Sequence, residues 1–238
     1  MNVKLIFSVM VFLFSAGTAS ASTLVVNQTS ACTTGDLYFP NIQEAVNAAN
    51  EGDVIIVCPG TYIENVDVNK FVEIRSYSQT NTIVKASNPS DHVFYVTVDN
   101  VKISGFTITG ASKSSGIYLN NSNNCKIVNN KILNNKYGIY LKYSCNNDIK
   151  NNNISSNNDD GICLDCSSSN NIVSNTISNN DDGISLWNSS NNNIENNNIS
   201  SNNDVGFYLL GSGNNNIESN NISNNEQESY LNIPATTA

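Results

Sequence analysis

The sequence has little positive charge. Its 238 residues include 11 lysines and arginines against 20 aspartates and glutamates, and the formal net charge at pH 7 is −9. Arg75 is the single arginine and His92 the single histidine. A nucleic-acid interface needs clustered lysine and arginine, and anionic membrane surfaces also attract basic clusters. The composition therefore argues against both classes of partner.

The sequence has no apolar run long enough to cross a membrane. Residues 5–14 are apolar, follow Lys4 and precede three small residues at 19–21. This pattern predicts a secretory signal peptide over residues 1–21, with cleavage before Ser22. The run is too short to span a bilayer, and an uncleaved anchor is the alternative. We therefore expect a secreted, extracellular or cell-surface protein with no membrane span after signal cleavage.

Six cysteines in an exported chain favour disulfides. Cys32 and Cys58 flank the first predicted elements, and we expect them to pair. Cys125, Cys145, Cys163 and Cys166 lie in three neighbouring repeats, and their pairing stays open. The Cys-x-x-Cys spacing of the last two also suits a soft metal. No second such motif or nearby histidine completes a metal site, so a disulfide is the preferred interpretation.

A repeat dominates the rest of the chain. From residue 117 to residue 228 the sequence repeats five times with a period of 22 or 23 residues. Each unit opens with an apolar-x-Leu triplet, and isoleucine follows 10 and again 15 residues after the opening residue. The opening residues are Ile117, Ile139, Ile162, Ile184 and Phe207. Such a period predicts a solenoid, and a unit this short has no room for two packed helices.

The short apolar stretches are flanked by Asn, Ser, Gly and Asp, which is typical of strands separated by turns. Three such strands would complete one coil of an all-β solenoid, a right-handed single-stranded parallel β-helix with coils stacked at about 4.8 Å. No coil can bury its own apolar face, so neighbouring coils share one core. A disordered Asn- and Ser-rich tract is the alternative, and the regular isoleucines argue against it.

Polar residues also return at fixed positions of the unit. Serine is sixth, and asparagine is fourteenth and nineteenth, in all five units. A side-chain amide both donates and accepts, so stacked asparagines predict hydrogen-bonded ladders. Asparagine also tolerates the left-handed backbone of a sharp corner, and we expect it there. A glycine precedes each triplet, at 116, 138, 161, 183 and 206, which predicts a positive φ or a close approach.

The N-terminal part contains the one clear helix signal. Residues 41–50 carry apolar side chains at helical spacing, Asn41 and Glu44 resemble a capping box, and Gly52 is the expected end. We expect this helix to cover the open apolar end of the solenoid. The predicted organisation is a signal peptide (1–21), an N-terminal cap (22–60), irregular first coils (61–116), five regular coils (117–228) and a C-terminal tail (229–238).

Several stretches carry a family resemblance. One such stretch is NIQEAVNAANEGDVIIVCPGTYIENVDVNKFVEIRS, which is followed by TIVKA and VKISGFTIT. It resembles the N-terminal part of secreted right-handed parallel β-helix proteins of the pectin-lyase-like superfamily. The parallel β-helix repeats of NosD-like proteins are similar to units such as GIYLKYSCNNDIKNNNISSNNDDGICL. The resemblance covers nearly the whole mature chain and implies the fold, but one fold hosts many functions.

The superfamily includes polygalacturonases, pectate lyases, pectin esterases and alginate epimerases, so a polysaccharide-active lyase, epimerase or hydrolase is the alternative function. The pairs Asp159–Asp160 and Asp181–Asp182 resemble the acidic pair of polygalacturonases. The accompanying Gly-His-Gly and Arg-x-Lys elements are absent, as are the pectin-esterase motifs. Lys142 and Asp165 could serve a lyase from neighbouring units, but a surface charge pair is the simpler interpretation. We assign no catalytic residue and expect a non-catalytic protein.

A binding surface is the preferred functional prediction. Outward positions of the triplet strand hold Tyr118, Tyr140, Cys163, Ser185 and Tyr208, and two residues on lie Asn120, Lys142, Asp165, Trp187 and Leu210. Aromatic rings among polar groups can stack on a sugar and hydrogen-bond to it. The candidate carbohydrate-binding residues are Tyr118, Tyr140, Lys142, Asp165, Trp187 and Tyr208. The expected partner is a polysaccharide or an envelope protein; the alternative is that tyrosine merely suits exposed strands.

A second candidate is an acidic corner. Asp159, Asp181 and Asp204 hold equivalent positions in three units, with Asp160 and Asp182 beside the first two. Carboxylates stacked near 4.8 Å repel each other, and a bound Ca²⁺ would relieve that repulsion. Lys136, one unit earlier, could relieve part of it instead, and solvated turn residues are the simpler interpretation. Calcium is the one cofactor that this pattern suggests.

NosD-like proteins are associated with periplasmic copper handling, which relies on His, Met and Cys ligands. Beyond the predicted signal peptide the chain has one histidine and no methionine. Copper binding is therefore not expected to transfer with the resemblance.

Overall fold

The computed structural model describes residues 21–27, 32, 37–78 and 81–232. The predicted signal peptide therefore lies outside the described residues except for Ala21. Within the described part the chain forms one short helix, α1 (Ile42–Ala48), and 26 strands. No helix in this part has the length and apolar character needed to cross a membrane.

In chain order the strands are β1 (Thr23–Val26), β2 (Leu37–Phe39), β3 (Val54–Val57), β4 (Gly60–Ile63), β5 (Val66–Val68), β6 (Glu73–Ser76), β7 (Thr82–Lys85), β8 (Phe94–Val96), β9 (Lys102–Ser104), β10 (Thr107–Thr109), β11 (Ser115–Asn120), β12 (Lys126–Val128), β13 (Lys131–Leu133), β14 (Tyr137–Lys142), β15 (Asp148–Lys150), β16 (Asn153–Ser155), β17 (Ile162–Asp165), β18 (Asn171–Val173), β19 (Thr176–Ser178), β20 (Ile184–Trp187), β21 (Asn193–Glu195), β22 (Asn198–Ser200), β23 (Val205–Leu210), β24 (Asn216–Glu218), β25 (Asn221–Ser223) and β26 (Gln227–Asn232).

These strands form three parallel sheets that run the length of a solenoid of about eight turns. Sheet A has ten strands in the order β2-β1-β3-β6-β9-β12-β15-β18-β21-β24. Sheet B has eight, β25-β22-β19-β16-β13-β10-β7-β4, and sheet C has eight, β26-β23-β20-β17-β14-β11-β8-β5. The chain visits A, B and C in turn, so each circuit adds one strand to every sheet. The predicted parallel β-helix is confirmed.

The register places each repeat unit directly on the next. In sheet C the opening residues of the five units pair in one column: Ile117, Ile139, Ile162, Ile184 and Phe207. The first and third residues of each triplet point inward and are fully or almost fully buried. They belong to a single apolar cluster that runs from Leu24 to Leu209. Because each coil packs on two neighbours, strands of three residues suffice to build a continuous core.

Four corners turn each regular coil, and left-handed residues make them. In the first regular unit these are Asn121, Asn124, Asn129 and Asn134, with φ of 52°, 56°, 56° and 57°. Each of them immediately precedes a ladder residue or its equivalent. Asparagine thus makes all four corners of this unit, but the corner asparagine and the ladder residue are neighbours and not the same residue. The corner residue adopts the left-handed backbone conformation. The side chain of the next residue can therefore point inward and hydrogen-bond to the neighbouring coils.

The predicted asparagine ladders bond from coil to coil. Asn130 donates to Oδ1 of Asn152 from its backbone nitrogen at 3.0 Å and from Nδ2 at 3.2 Å, and its Nδ2 also donates to the Ile103 carbonyl at 3.0 Å. A third asparagine ladder, at the ninth position of the unit, was not predicted. Cys125 occupies that position in the first unit, and its backbone nitrogen donates to Oδ1 of Asn147 at 2.7 Å. The cysteine interrupts the column in the sequence and so hides the pattern.

The five glycines before the triplets do not have a positive φ. They are required because neighbouring side chains and backbone approach them too closely to leave room for a Cβ. A Cβ added to Gly116 would lie 2.7 Å from Cγ2 of Ile132 and 2.9 Å from Nδ2 of Asn135. A real Cβ does not tolerate such distances, so the coil closes tightly at this point because no side chain intervenes.

Helix α1 packs against β1, β2, β3 and β5 at the N-terminal end of the solenoid. Its capping box is confirmed: Asn41 Oδ1 accepts from the Glu44 backbone nitrogen at 2.8 Å, and Asn41 Nδ2 donates to Glu44 Oε1 at 2.7 Å. Ala49, and not Gly52, is the C-terminal cap. The Glu64 carboxylate accepts from the first free backbone nitrogens of the helix, those of Ile42 and Gln43, at 3.0 and 2.9 Å.

Cys32 and Cys58 form a disulfide with their Cα atoms 5.8 Å apart, in a small apolar cluster with Val25. The other four cysteines are free, so the preferred interpretation that they form disulfides, whose pairing was left open, was wrong. Cys163 lies on the outer face of β17, whereas Cys166 forms a left-handed corner at φ 50°. The two side chains leave the backbone from different elements of the coil and do not bond.

Candidate functional site

Sheet C carries a stripe of stacked aromatic rings on its outer face. Tyr95, Tyr118 and Tyr140 stack from coil to coil, with ring centroids 5.4 and 5.1 Å apart. Towards the C-terminus Tyr208 stacks on Tyr230 at 4.9 Å and contacts Trp187 at 4.8 Å. We call these six residues the aromatic stripe. Parallel register produces it, because equivalent outward residues are one strand spacing apart.

The stripe is interrupted at two coils. Cys163 and Ser185 continue the column between Tyr140 and Tyr208. Both were expected to be outward and open, yet their exposed fractions are 5% and 1%. The acidic corner covers them: the carboxyl of Asp160 lies beside the Cys163 thiol, and Ser185 Oγ donates to Asp182 Oδ2 at 3.4 Å. Their small side chains leave room above the sheet.

That room is a cavity of about 440 Å³, which we call the acidic pocket. Its lining residues are Tyr137, Tyr140, Asp159, Asp160, Cys163, Asp165, Asp182, Trp187 and Asn188. The volume lies in the range of small-molecule sites, about 300–1,000 Å³. The structure thus brings the two separately predicted sites together at one place.

The predicted residues divide into lining and flanking groups. Tyr140, Asp165 and Trp187 of the carbohydrate set line the pocket, as do Asp159, Asp160 and Asp182 of the acidic set. The flanking residues are Tyr118, Lys142, Tyr208, Asp181 and Asp204. Tyr118 and Tyr208 belong to the aromatic stripe on either side, and Lys142 pairs with a lining carboxylate.

Tyr137 and Asn188 were missed by sequence reasoning. Tyr137 is the first residue of β14 and ends the segment of variable length between Ile132 and Gly138. The backbone nitrogen of the following Gly138 donates to the carbonyl of Asp160 at 3.0 Å, which places Tyr137 one coil before Asp160. If the units are aligned on their glycines, Tyr137 is equivalent to Asp160, and this alignment would have identified Tyr137 as a neighbour of the acidic residues.

The acidic corner is a true stack. The backbone of each residue bonds to the coil before it. The Asp159 nitrogen donates to the Lys136 carbonyl at 2.8 Å, the Asp181 nitrogen to the Asp159 carbonyl at 3.0 Å, and the Asp204 nitrogen to the Asp181 carbonyl at 2.9 Å. Burial, followed by the charges of Asp159 and Asp204, raises the pKa of Asp181. Lys136 offsets one end of the stack, with its Nζ 3.7 Å from Asp159 Oδ2.

Asp160 is the most deeply placed carboxyl of the pocket. It is 5% exposed, and burial raises its pKa to about 7, with further upward contributions from the charges of Asp159 and Asp182. Hydrogen bonds from Cys163 and Ser185 oppose this rise. Burial also raises the pKa of the Cys163 thiol well above its ordinary value, so this thiol stays protonated. The pocket floor is therefore a carboxyl that changes charge near neutral pH.

Asp182 and Asp165 complete the polar lining. The Asp182 carboxylate accepts from the Val205 backbone nitrogen at 3.2 Å, and burial raises its pKa. Asp165 lies at the rim, with its Oδ2 3.4 Å from Nζ of Lys142 and 3.2 Å from the hydroxyl of Tyr140. The predicted pairing of Lys142 with Asp165 across one coil is thus observed as a surface ion pair.

The family model for the periplasmic copper-binding protein NosD matches residues 46–235. The chain belongs to the NosD family. A cell surface glycoprotein of Methanothermus fervidus is 38% identical over 98 residues, which is 40% of this chain and 16% of that protein. The match thus spans a small part of the relative's length. Both matches carry the names of extracytoplasmic proteins, and the Cys32–Cys58 disulfide is consistent with such a compartment.

Solved structures with a similar fold include polysaccharide enzymes. Pectate lyase Pel9A has a TM-score of 0.62 at 17% identity, with 90% of this chain and 78% of that chain covered. Pectin methylesterase PemA from Erwinia chrysanthemi has a TM-score of 0.63 at 11% identity, with 80% and 71% covered. At these identities the likeness concerns the fold, which makes this NosD-family chain a pectin-lyase-like β-helix.

The copper in the family's name does not fit the residues that the structure describes. No group of three or more His, Cys, Asp or Glu side chains among them is arranged to hold a metal ion. Nδ1 of His92, the single histidine, accepts from the Ser115 backbone nitrogen at 3.2 Å and lies 2.9 Å from Ser114 Oγ. The buried Cys125 thiol donates to the Val98 carbonyl. The ligands that copper prefers are thus scattered and engaged elsewhere.

Proposed function

We propose that this protein is an extracytoplasmic, cell-surface β-helix that binds a polysaccharide along sheet C, with one sugar unit entering the acidic pocket. The observation that carries the proposal is the interruption of the aromatic stripe. Cys163 and Ser185 are too small to continue it, and a cavity remains between Tyr140 and Trp187. Sugar rings offer apolar faces and hydroxyl edges, so aromatic walls beside fixed carboxylates suit them.

The flanking rings support a chain rather than a single sugar. Tyr118 lies beyond Tyr140 on one side of the pocket, and Tyr208 and Tyr230 continue the stripe on the other side. Each coil advances by about 4.8 Å. A polysaccharide that runs parallel to the solenoid axis would therefore meet a ring on both sides of the pocket.

A glycan array tests the proposal with wild type and Trp187→Ala. Trp187 is 39% exposed and lines the pocket, so removing its ring should lower the apparent affinity at least tenfold. Tyr77→Ala is the matched control, because Tyr77 is 52% exposed and follows β6 in sheet A, away from the stripe. This control should bind as the wild type does.

Two outcomes would contradict the proposal. If glycan affinity is unchanged in Trp187→Ala but decreases in Tyr77→Ala, the binding site lies on sheet A and not on sheet C. Binding of no glycan by either protein would leave an envelope-protein partner as the better idea for the stripe.

Polysaccharide cleavage is a second candidate, and Asp160 is the observation that favours it. A buried carboxyl with a pKa of about 7 can donate a proton near neutral pH, and a second carboxylate, Asp165, lies at the rim in an ion pair with Lys142. Incubation with acidic and neutral polysaccharides should then yield shorter chains or unsaturated ends, and Asp160→Asn should abolish them. Intact chains after incubation with wild type would reject this candidate.

A further inference from the structure

We propose that the acidic pocket selects a sugar unit that carries a protonated amino group. The proposal rests on the proposed function, because it names the class of sugar that the same pocket accepts. It distinguishes this chain from neighbours of the same fold whose names refer to pectate and pectin.

The charges of the pocket are unevenly compensated. Four carboxyl groups line it, those of Asp159, Asp160, Asp165 and Asp182. Lys136 lies 3.7 Å from Asp159 and Lys142 lies 3.4 Å from Asp165, so two of the four have a cation. These two pairs lie at the rim.

The other two carboxyls lie deeper and have no lysine or arginine within ion-pair distance in the described structure. Asp160 is 5% exposed, and its polar neighbours, the Cys163 thiol and the Ser185 hydroxyl, carry no positive charge. Asp182 accepts from the Val205 backbone nitrogen and from Ser185 Oγ. A buried charge is strongly disfavoured unless it is paired. A ligand ammonium group placed between these carboxyls would supply the missing partner.

The walls of the pocket favour the same ligand. Tyr137, Tyr140 and Trp187 line the cavity. Aromatic faces attract cations by about 0.5–2 kcal/mol and also cover the apolar faces of a sugar ring. A precedent lies at the rim, where the ammonium of Lys136 sits 4.7 Å from the centroid of the Tyr137 ring. An amino sugar presents both an ammonium and a pyranose face in one unit.

The opposite charge is disfavoured by the same geometry. A uronic acid unit, such as the sugar of a pectate chain, would bring a carboxylate against Asp160 and Asp182. Like charges at such range repel, and the low exposure of Asp160 weakens the screening by solvent. Acidic polysaccharides are therefore expected to be excluded from the pocket.

Binding should depend on pH with a defined sign. An ammonium beside Asp160 stabilises the ionised carboxylate, so the affinity should rise as pH increases through the carboxyl pKa of the free protein. The groups facing Asp160 are Asp159, Asp182, Cys163 and Ser185; the two carboxylates strengthen this dependence, and the thiol stays neutral. At higher pH the ligand amine loses its proton, which returns the affinity to a low value. A bell-shaped profile follows.

Calorimetric titration at pH 7 with three oligosaccharides of equal length tests the proposal. The probes are oligomers of glucosamine, of N-acetylglucosamine and of galacturonic acid. We expect the glucosamine oligomer to bind at least tenfold more tightly than its acetylated form, which has the same ring without the charge. The galacturonic acid oligomer should bind most weakly.

Two substitutions locate the effect. Asp160→Asn should reduce the preference for glucosamine to within about threefold and remove the rising limb of the pH profile. Asp182→Asn should also lower the preference, and it keeps the test valid if the first variant is unstable. Glu195→Gln on β21 of sheet A removes one negative charge away from the pocket and should change neither. A melting curve for each variant confirms that it is folded.

The outcomes separate the two proposals. If the acetylated or the uronic oligomer binds as tightly as the glucosamine oligomer, the charge selectivity is wrong while polysaccharide binding stands. If Glu195→Gln weakens glucosamine binding as much as Asp160→Asn does, the preference reflects net charge and the pocket assignment is overturned. If none of the three oligomers and no other glycan binds, both proposals fall.

Discussion

The hydroxyl of Tyr140 donates a hydrogen bond of 3.2 Å to Oδ2 of Asp165, which belongs to the next coil of the solenoid. The same oxygen lies 3.4 Å from Nζ of Lys142. One carboxylate oxygen therefore orients both an aromatic wall of the acidic pocket and the cation at its rim. Burial, followed by electrostatic interactions with the neighbouring Cys163 and Asp165 side chains, raises the pKa of Tyr140 well above its usual range. This hydroxyl consequently remains a donor, and the wall remains fixed, at all physiological pH values.

The register of the coils is tested by Ile172→Asp. Ile172 is fully buried in β18, paired with Ile149 and Ile194 of the neighbouring coils. An unpaired charge there should cost several kcal/mol and unfold the middle coils. Val173→Asp is the matched control, because Val173 points outward and should lose less than about 1 kcal/mol. Equal melting temperatures for the two variants in circular dichroism would contradict the register.

The asparagine ladder is tested by Asn175→Ala. Oδ1 of Asn175 accepts from the backbone nitrogen of Asn152 at 2.9 Å and from its Nδ2 at 3.1 Å, and Asn175 Nδ2 donates to the Ile149 carbonyl at 2.9 Å. The substitution leaves these buried groups unsatisfied, so we expect a loss of roughly 2–5 kcal/mol in urea unfolding. Asn203→Ala, at an exposed position, should be nearly neutral. A ladder that contributes nothing would give the two variants the same midpoint.

The tight closure of each coil is tested by Gly161→Ala. The added Cβ would lie 2.8 Å from the Gly183 carbonyl oxygen and 3.0 Å from Nδ2 of Asn180. The nearest atom, Cγ2 of the buried Ile177, would be only 2.5 Å away. Because a packed core side chain and the backbone of the next coil would both have to shift, we expect a loss of about 1–3 kcal/mol. Gly60→Ala is the control, since its Cβ would lie 3.5 Å from the Tyr62 ring at ordinary contact distance. A Gly161→Ala protein that melts with the control would show that the coil can open at this point.

The repeat predicted most of the fold because identical residues must stack identically in a parallel solenoid. Once Ile117 is aligned with Ile139, the burial of Ile127 and Ile132 and the ladders that follow them are determined. Which asparagines make the corners could not be predicted, because periodicity identifies positions but not backbone angles. Neighbours such as Asn129 and Asn130 differ in φ, yet they recur with the same period.

The pocket was predictable in part. Its aromatic and acidic residues were identified as two separate candidate sites, because each set is periodic in its own column. Their convergence depends on side-chain volume: Cys163 and Ser185 leave a gap that Asp160 and Asp182 cover from the next column. Tyr137 was missed because the segment between the last isoleucine and the glycine, which ends at Tyr137, differs in length from the same segment of the next coil. Single-column periodicity contains no information on either point.

The four free cysteines should differ in reactivity. Cys125 and Cys163 are buried, and burial raises the pKa of both thiols, to about 11 for Cys125. Cys145 and Cys166 are partly exposed. We expect a thiol reagent at pH 8 to label two cysteines of the native protein quickly and the other two at least tenfold more slowly. Mass spectrometry of the labelled peptides assigns them; four labels after unfolding without reductant complete the count, and two would indicate a further disulfide.

The last prediction concerns the pH dependence of stability through Asp160. In the folded protein its pKa is about 7, mainly because of burial, whereas an unfolded aspartate has a pKa of about 3.9. The folded state therefore binds this proton more tightly than the unfolded state does. Protonation of Asp160 stabilises the folded protein fully below pH 4, and this contribution is lost as the pH rises through about 7. The difference between the folded and unfolded pKa values of Asp160 corresponds to a decrease of about 4 kcal/mol in the free energy of unfolding by pH 8. Asp182 and Asp181, whose pKa values are also raised by burial, act in the same direction.

Urea unfolding of wild type and Asp160→Asn between pH 4 and pH 8 measures this contribution. The wild type should lose stability across that interval, and the variant, which cannot ionise there, should lose several kcal/mol less. Asp148→Asn provides a control of opposite sign: burial alone would raise the pKa of Asp148, but hydrogen bonds from Lys150 and Asn171 lower it. Its removal should leave the decline between pH 4 and pH 8 intact. Parallel curves for wild type and Asp160→Asn would mean that Asp160 is already ionised at acidic pH, and the pocket would then have no carboxyl that changes charge near neutrality.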